Sequence, residues 1–591
     1  MDTLTDTSQQ FAYFFNEEPL RFYAQQVFKK LSEGHICLDL GNDVSNKTIS
    51  ELKKQRFVGT GPDDRQPFIL YNQRLYLQRY FVYETSILDR IKHFVAAEAL
   101  EFERRSAALL SQRSLLNQLF NRPIPAGSPG STDWQMIAAI HGILNNFTII
   151  TGGPGTGKTT TVAKILALLF SIEPGLKVAL AAPTGKAATR MAESLQQQSL
   201  EMDESIKNNF LQLQPSTIHR LLKMQPGTPY FRHNKMNPLP YDLVIVDEGS
   251  MIDVALFSKL LEAIGPGTRL IMLGDKDQLA SVEAGSLFGD LCQATEALNI
   301  FSTERTMLVN SLVDNKQLHL KPPGETVHAA HPLFQHIIEL RHSYRFSGNE
   351  GIGKFSAAVI RNDFAGIEEF FHQAGDEQVI IDPGFDTGLF DSFIEGYQSY
   401  IGEEDILKAI KKLNELRVLC AVREGDQGLN AINKRIERYL SQKRLLNLNG
   451  EYYEHRPVII TKNYYSLGLF NGDTGIIRPD EKGTMRAWFE DGKGGIKSVL
   501  PGYLSQVETV FAMTIHKSQG SEFNKVFVIL PSSAHIPILT RELLYTAVTR
   551  ARQKIYIQGS REAIMEAASR KVERGSGIID RFGDHSSTVI H

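Results

Sequence analysis

The stretch that decides the fold is "FTIITGGPGTGKTTTVAKILALLF" at residues 147–170. It begins with a short apolar run typical of a buried strand, passes through a glycine-rich loop and continues with helical spacing. The loop matches the pattern GxxxxGK[ST] between a strand and a helix. Its backbone would wrap phosphate oxygens, Lys158 would meet the β- and γ-phosphates, and the Thr159 hydroxyl would reach Mg²⁺. The predicted nucleotide-binding residues of this loop are Gly152, Gly153, Pro154, Gly155, Thr156, Gly157, Lys158, Thr159 and Thr160.

Two carboxylates follow the apolar run "LVIVDE" at residues 243–248. Asp247 could hold Mg²⁺, so that Thr159 and Asp247 are the predicted metal ligands, and Glu248 could take a proton from an attacking water. Gln278, in "LGDKDQLASV", follows another apolar run, where its amide could orient that water or sense the γ-phosphate. A solvated loop glutamine is the simpler alternative for Gln278 alone.

Phosphoryl transfer also needs positive charge against the developing phosphoryl oxygens, and arginine is suited because it is always ionised. The candidates are Arg345 in "LRHSYRF" and Arg550 in "LLYTAVTRARQK". For each arginine alone, a surface ion pair is the alternative. If both reach one nucleotide across a cleft, ATP binding would draw two domains together.

Short apolar runs recur along the chain and alternate with helical segments, which is typical of parallel strands in a doubly wound sheet. One set lies between residues 147 and 275 and another between 416 and 559, so we predict an α/β fold with two tandem domains. We predict a mostly helical N-terminal domain over residues 1–120, with a hairpin at 67–81, and a linker over 121–131. The first α/β domain is predicted over 132–335, with a loop-like insertion from about 295. The second is predicted over 336–591, with an inserted β-barrel at about 450–505 and a frayed end over the last 15 or so residues.

Composition argues against several classes of protein. The net charge is −3, so nucleic acid would have to bind a local basic groove rather than the whole surface. Cys37, Cys292 and Cys420 lack metal-ligand spacing, which argues against a zinc site or a disulfide framework. We find neither a signal peptide nor an apolar run of about 18 residues, and we expect a soluble, cytoplasmic chain.

Two distant segments share the tripeptide Thr-Ile-His: "STIHRLL" at 216–222 and "MTIHKSQG" at 513–520. A shared tripeptide is weak by itself, and a capping or buried-loop histidine is the simpler interpretation of His219 or His516. Hydroxyls, backbone N–H groups and a neighbouring cation could instead hold the phosphates of a nucleic acid strand. The repeated tripeptide then predicts one nucleic-acid phosphate-binding site on each α/β domain.

The ordered motifs "DWQMIAA", "GGPGTGKTT", "APTGKAA", "STIHRLL", "VIVDEGSM", "LGDKDQL", "LRHSYRF", "MTIHKSQGSEF" and "LLYTAVTRAR" resemble those of superfamily 1 DNA helicases. The resemblance is closer to the RecD family, the alpha subunits of exodeoxyribonuclease V, and covers nearly the whole chain. It implies two RecA-like P-loop motor domains and a Gln135 that contacts adenine. It also implies DNA contacts at Thr184, Gly185, Lys186, Thr217, His219, Thr514, His516, Lys517 and Gln519. One departure is Gly249, where alanine is common, and we expect looser packing there.

The resemblance implies an ATP- and Mg²⁺-dependent helicase that moves 5′→3′ on single-stranded DNA. It also implies RecB-like and RecC-like partner subunits, an N-terminal domain that docks on RecC, and a complex that acts at duplex ends in double-strand break repair by homologous recombination. No carboxylate cluster has the spacing of a nuclease site, so we expect any scission to come from another subunit. The alternatives are a stand-alone RecD-like helicase and, from another class, a DNA-binding regulatory ATPase that does not unwind.

Overall fold

The described residues form four β-sheets with their covering helices. In this computed structural model they are residues 7–41, 44–120, 132–225, 227–285, 287–295, 297–322, 331–346, 351–372, 376–492, 494–533 and 536–583. The predicted linker at 121–131 lies outside them.

The N-terminal residues fold into a small unit with its own sheet. Its elements are α1 (Thr7–Ala12), α2 (Leu20–Ser32), β1 (Cys37–Asp39), α3 (Asn46–Lys53), β2 (Val58–Gly59), β3 (Phe68–Tyr71) and β4 (Arg74–Leu77). The four strands are ordered β1-β4-β3-β2, so the unit is less helical than predicted. The predicted hairpin is present as β3 and β4, and both residues of its turn, Asn72 and Gln73, have the positive φ that a two-residue hairpin favours.

The predicted domain boundary at residue 120 does not separate two hydrophobic cores. The next helices are α4 (Gln78–Ala97), α5 (Phe102–Ser111) and α6 (Arg113–Leu119). Ile87 and Ile91 of α4 pack in one cluster with Phe147 and Phe257, which belong to the first α/β domain. Sequence periodicity shows that α4 has an apolar face but not which core that face meets, and α4–α6 therefore belong with the first α/β domain.

A six-stranded sheet, all of whose strand pairs are parallel, forms the first α/β domain. The strands are ordered β10-β5-β9-β8-β6-β7. Its elements are α7 (Trp134–Leu144), β5 (Phe147–Thr151), α8 (Lys158–Ile172), β6 (Val178–Ala182), α9 (Gly185–Ser199), α10 (Glu204–Gln212), β7 (Ser216–Thr217), α11 (Ile218–Leu221), β8 (Leu243–Val246), α12 (Val254–Ala263), β9 (Arg269–Gly274), α13 (Leu287–Gln293), α14 (Thr303–Leu312) and β10 (Ile337–Glu339).

Two predictions about the end of this domain are wrong. The insertion expected to be loop-like contains α14, whose start is capped by Ser302, with Oγ accepting from the Arg305 N–H at 3.1 Å. β10 pairs with β5, so the first sheet extends to Glu339 rather than ending at residue 335. The reason is that β10 is three residues long, too short to carry a sequence pattern of its own.

A five-stranded parallel sheet forms the second α/β domain, in the order β11-β20-β19-β12-β18. Its first elements are α15 (Gly351–Arg361), α16 (Phe364–His372), β11 (Val379–Asp382), α17 (Thr387–Glu395), α18 (Gln398–Ile401), α19 (Ile406–Leu413), β12 (Leu416–Cys420) and α20 (Leu429–Gln442). After the inserted β segment come β18 (Ala512–Thr514), β19 (Phe523–Ile529), α21 (Arg541–Val548), β20 (Ala551–Gln558), α22 (Arg561–Ser569) and α23 (Ile578–Gly583).

The inserted segment is an antiparallel sheet with its own small core. Its strands are β13 (Pro457–Ile460), β14 (Thr474–Pro479), β15 (Met485–Glu490), β16 (Ile496–Val499) and β17 (Val507–Thr509). They are ordered β16-β15-β14-β13-β17. The predicted β segment is thus present, and across its described strands we find no pairing between β16 and β17 that would close it into a barrel.

The C-terminal residues return to the first α/β domain and the N-terminal unit. Ile578 and Phe582 of α23 are buried in the same cluster as α4. Glu84 of α4 accepts from the Gly577 N–H at 3.0 Å and from Arg581 Nη1 at 2.9 Å. The prediction of a frayed end is therefore wrong for residues 577–583; residues 584–591 lie outside the described part. Within the described chain, no helix has the length and apolar character needed to cross a membrane.

Candidate nucleotide site and nucleic-acid interface

The P-loop connects β5 to α8 at the carboxyl edge of the first sheet. Gly155 and Gly157 have φ values of 75° and 83°, which residues with a side chain rarely adopt. Gly157 directly precedes α8, and the first backbone N–H groups of a helix have no partner within the helix. The loop and helix start together form a cradle suited to phosphate.

Lys158 and Gln135 both contact the backbone of this loop. Lys158 Nζ donates to the carbonyl oxygens of Gly152 at 2.5 Å and Gly153 at 3.2 Å. Gln135, in the first turn of α7, is buried and donates from Nε2 to the Thr156 carbonyl at 2.9 Å. Gln135 therefore lies directly against the phosphate cradle, and its contact with adenine stays a prediction.

Asp247 and Glu248 directly follow β8, which is separated from β5 in the sheet by β9. The Glu248 N–H donates to Asp247 Oδ1 at 2.8 Å, and Glu248 has a left-handed φ of 54°. Burial, reinforced by the charge of Glu248, raises the pKa of Asp247 to about 6, while Lys158 acts in the opposite direction. Two carboxylates held this close in a buried position favour a bound cation.

Groups that follow β9 contact the second α/β domain directly. Asp275 Oδ2 accepts from Gln278 Nε2 and from the Tyr545 hydroxyl, each at 3.0 Å. The Leu279 N–H donates to Thr546 Oγ1 at 3.0 Å. Because Tyr545 and Thr546 lie on α21 of the second domain, Gln278 sits in a network that spans the cleft. The structure thus gives Gln278 specific buried partners rather than a solvated loop position.

Arg345 lies between the P-loop and the second domain. The Tyr344 N–H donates to the Gly155 carbonyl at 2.8 Å, which holds this segment against the loop. A Cβ added at Gly155 would collide with the Arg345 Cβ. The Arg345 guanidinium reaches Glu522 Oε1, with Nη1 at 2.9 Å. Its segment follows β10, so Arg345 belongs to the connection between the two domains rather than to the second domain as predicted.

Arg550 is buried and faces the same cleft from the second domain. Its guanidinium donates to the Thr546 carbonyl at 3.1 Å and to the Ser521 carbonyl at 3.2 Å. Burial lowers its pKa, while the nearby Glu248 and Glu522 raise it. Arg550 is thus a buried cation close to Glu248, the candidate general base.

A cavity of about 260 Å³ opens between the two domains. Both domains and the inserted sheet contribute to its lining. The lining includes Thr184, Lys186, Ser281, Asn471, Gly472, His516, Lys517 and Gln519. Five of the nine residues predicted to contact DNA are in this lining, namely Thr184, Lys186, His516, Lys517 and Gln519. Residues more than 300 positions apart in sequence, such as Lys186 and His516, therefore face one space.

Known proteins identify the family. The family model of an AAA domain matches residues 135–284, and that of a UvrD-like helicase C-terminal domain matches residues 509–558. The RecBCD enzyme subunit RecD of Mycolicibacterium smegmatis is 33% identical over 94% of this chain and 92% of its own length.

The chain belongs to the RecD family.

Two further curated relatives agree with this placement. The RecBCD enzyme subunit RecD of Mycobacterium tuberculosis is 35% identical over 86% of this chain and 80% of that protein. The ATP-dependent RecD2 DNA helicase of Deinococcus radiodurans is 28% identical over 80% of this chain and 57% of that protein. A crystal structure of Bacteroides Pif1 bound to ssDNA covers 76% of this chain and 95% of its own, with 16% identity and a TM-score of 0.37. By its family, the chain is an ATP-dependent DNA helicase.

The two Thr-Ile-His segments of this RecD-family chain occupy equivalent places in the two sheets. Thr217 ends β7 and Thr514 ends β18, and each strand lies at one edge of its sheet. Thr217 Oγ1 accepts from the Arg220 N–H and Thr514 Oγ1 from the Lys517 N–H, both at 3.3 Å. Each hydroxyl therefore acts first as a cap and keeps its O–H as a donor for another group.

The histidines of these segments differ in their surroundings. His516 lines the cavity, whereas His219 is half-buried with its ring 5.8 Å from that of Phe231 and is not in the lining. Burial lowers the pKa of His219. The simpler packing interpretation thus fits His219 in this structure, and its contact with DNA stays a prediction.

Lys186 is a partly buried cation in the lining of this cavity. Burial lowers its pKa to about 8, and the nearby Arg417 and Arg190 act in the same direction. A nucleic acid phosphate would supply the missing negative charge. Gly185 beside it is covered by the Phe470 ring, 3.1 Å from where a Cβ would be.

Several residues at these sites were missed from sequence. Phe470 of the inserted segment covers the start of α9 and lies under the Arg220 guanidinium, 5.8 Å from its ring centre. Tyr545 reaches the P-loop, where its hydroxyl would lie 2.9 Å from a Cβ at Gly153. Their roles come from contacts between domains, which no local pattern records. A signal was present only for Glu522, an acid within the quoted motif "MTIHKSQGSEF".

The expectation of looser packing at Gly249 is wrong. A Cβ at this position would lie 2.8 Å from the Phe288 ring and 3.0 Å from the Leu273 carbonyl oxygen. Phe288 fills the space that a larger residue would need, so a glycine is required beside it.

The residues present fit a magnesium–nucleotide complex. Thr159 lies in the first turn of α8, and Asp247 is a buried carboxylate with a raised pKa across the same cradle. Over the described ranges, no group of three or more His, Cys, Asp or Glu residues could hold a metal by itself. A cation here would therefore share its ligands with the phosphates of a nucleotide, as Mg²⁺ commonly does.

Proposed function

We propose that this RecD-family chain is a motor that hydrolyses ATP with Mg²⁺ and moves 5′→3′ along single-stranded DNA. The observation that carries the proposal is the cleft between the two parallel sheets. In its support, Lys158 contacts the P-loop, Arg345 lies against Gly155 of that loop, and Arg550 lies near Glu248 in the cleft. A neighbouring cavity is lined by predicted DNA contacts from both domains.

The chain's own residues supply the hydrolytic step. Lys158 leaves the P-loop carbonyls to meet the β- and γ-phosphates, and Glu248 accepts a proton from the attacking water. Arg345 and Arg550 stabilise the charge that develops on the transferred phosphoryl group. Thr159 and Asp247 would hold Mg²⁺, which would neutralise negative charge on the phosphates.

Movement follows from the position of these groups on two bodies. Arg550 belongs to the second domain and Lys158 to the first, so one ATP attracts both and closes the cleft. The bonds from Tyr545 to Asp275 and from Leu279 to Thr546 carry that closure to the segment that lines the DNA cavity. The Thr184 and His516 segments then bind the DNA strand alternately and so advance it.

The larger setting is proposed by likeness to relatives. The curated relatives at 33–35% identity are named RecBCD enzyme subunit RecD, so we expect RecB-like and RecC-like partners. The same likeness supports action at duplex ends in double-strand break repair by homologous recombination in the cytoplasm. The N-terminal unit formed by α1–α3 and β1–β4 is the expected docking surface for the RecC-like subunit.

ATP hydrolysis tests the proposed motor. The chain, alone and with RecB-like and RecC-like subunits, is assayed for ATP hydrolysis with and without single-stranded DNA. We expect DNA to stimulate hydrolysis, and Lys158→Gln to lower kcat about 100-fold, the loss typical of removing one charge-stabilising group. Lys177→Gln, at an exposed lysine of the same domain, is the matched control and should leave kcat unchanged. Hydrolysis by the chain alone that is not stimulated by DNA, or that survives Lys158→Gln, would contradict the proposal.

A further inference from the structure

Glu522 is the point where three guanidinium groups from different parts of the chain meet. Its carboxylate lies 3.1 Å from Arg190 Nη2, 2.9 Å from Arg345 Nη1 and 2.9 Å from Arg552 Nη2. Arg190 belongs to α9 of the first domain, Arg345 to the connection between the domains, and Arg552 to β20 of the second domain. The Glu522 side chain therefore contacts the first domain, the connection between the domains and the second domain.

The charges in this cluster are strongly coupled. The Glu522 side chain is only 13% exposed. Burial alone would raise its pKa, but Arg190, Arg345 and Arg552 together lower it to about 2. Glu522 is thus ionised at any physiological pH, and its single negative charge lies against three guanidinium groups.

Arg345 lies within reach of two anionic positions. Its Cβ abuts Gly155 of the phosphate cradle, and its guanidinium is paired with Glu522. Arg550, the other arginine of the cleft, instead donates to the carbonyls of Thr546 and Ser521. A γ-phosphate in the cradle would therefore have to draw Arg345, but not Arg550, away from a carboxylate.

We infer that Glu522 is a positioning residue that holds Arg345 when no triphosphate is bound and competes with the γ-phosphate for it. The inference rests on the proposed role of Arg345. Because ADP lacks the γ-phosphate, it leaves Arg345 on Glu522, so the competition acts on ATP alone. Arg190 also donates to the Gly520 carbonyl at 2.5 Å, next to Gln519 of the DNA cavity, so release of Arg345 changes an ion cluster that touches both sites.

Nucleotide binding to the full chain tests this inference. Titrations with a fluorescent, slowly hydrolysed ATP analogue and with fluorescent ADP give both Kd values. Glu522→Gln removes the competing charge and should lower the Kd of the ATP analogue about fivefold. This factor corresponds to the free energy of a partly exposed ion pair. ADP binding should change less than twofold. The control is Glu368→Gln, which breaks an arginine pair with Arg561 on the outer surface of the same domain and should alter neither Kd.

A double-mutant cycle separates competition from general damage. In an Arg345→Ala background, Glu522→Gln should no longer change the preference for ATP over ADP. A preference that shifts equally in both backgrounds, or does not shift in the parent, would overturn the inference. If thermal unfolding shows that Glu522→Gln is unstable, Glu522→Asp replaces it, because this variant keeps the charge but has a shorter side chain. Glu522→Asp should shift the preference for ATP over ADP in the same direction by a smaller factor. The absence of a shift in Glu522→Asp would also overturn the inference.

The proposed function fails in a different way. Arg345→Ala alone should lower kcat about 1000-fold if Arg345 acts on the phosphoryl group. An unchanged kcat would contradict the role of Arg345 itself. A large loss of kcat with an unaltered nucleotide preference in Glu522→Gln would contradict only the inference about Glu522.

Discussion

At the scale of single residues, the nucleotide site concentrates buried charge at the carboxyl edge of one parallel sheet. Asp247 and Asp275 both have a pKa of about 6, in each case chiefly because burial penalises the ionised carboxylate. Lys158 lowers both values but does not offset the burial. Carboxylates perturbed in this way at a cleft are typical of functional sites.

Asp247→Asn is expected to stabilise the nucleotide-free protein at pH 8. The pKa of Asp247 rises from 3.8 to about 6 on folding, so the native state binds more protons between these pH values, and stability falls as the pH rises through them. The neutral amide escapes this loss, and the midpoint of thermal unfolding should rise by about 2–4 °C at pH 8. The gain should shrink toward pH 4. Calorimetry at both pH values checks this, and equal gains would contradict it.

The same residues show what sequence can and cannot predict. Asp247 and Glu248 were predicted because they directly follow a strand, and Lys158 because it ends the glycine-rich loop that follows another strand. The ends of parallel strands meet at one edge of the sheet. Tyr545, Thr546 and Glu522 matter through contacts across the cleft, and nothing in the local sequence specifies a partner hundreds of residues away. His219 shares its tripeptide with His516 but packs against Phe231, because the neighbours of the two histidines differ.

At the scale of elements, two edge strands end in equivalent capped turns. β7 and β18 each end in a threonine whose hydroxyl caps the following turn. The second α/β sheet follows from apolar patterns, whereas the sheet of the N-terminal unit, apart from its hairpin, was not predicted. The placement of α4 and β10 in the first domain could not be predicted, because it depends on which core their apolar faces meet.

Thr217→Ala and Thr514→Ala should each weaken DNA stimulation of the ATPase. Loss of the cap destabilises each turn by about 1 kcal/mol and removes a hydroxyl donor for phosphate. We expect the DNA concentration for half-maximal stimulation to rise about tenfold, with nucleotide Kd values nearly unchanged, since neither threonine belongs to the P-loop. Thr217→Ser and Thr514→Ser, which keep the hydroxyl, are the controls. An equal effect on nucleotide binding would contradict this assignment.

At the scale of the whole molecule, the C-terminal residues pack against the N-terminal part of the chain. Residues 570–577 leave the second α/β domain and deliver α23 to the first domain and the N-terminal unit. Arg574 Nη1 donates to the carbonyls of Glu283 and Gly285 at 3.1 Å, beside the segment that lines the DNA cavity. The cleft is therefore spanned by the chain at two places, and this second crossing could not be read from an end that looks polar and frayed in sequence.

Arg581→Ala should destabilise the protein by about 3–5 kcal/mol, because it leaves the fully buried Glu84 carboxylate without its cation. Urea unfolding should show an earlier midpoint for the transition that includes the first domain. Arg561→Ala, which breaks the exposed pair with Glu368, serves for comparison and should cost less than about 1 kcal/mol. Similar losses in the two variants would show that α23 does not anchor the chain.

We propose that ATP-driven closing of two motor domains moves one DNA strand 5′→3′ through the cleft. Unwinding of duplexes with a single-stranded 5′ or 3′ tail, by the chain alone and in complex with its partners, tests this most directly. In the complex, Lys158→Gln in this chain isolates its contribution from that of any other motor. We predict ATP-dependent separation from the 5′ tail that Lys158→Gln abolishes. Separation only from the 3′ tail, or from the 5′ tail with Lys158→Gln in place, would contradict the account.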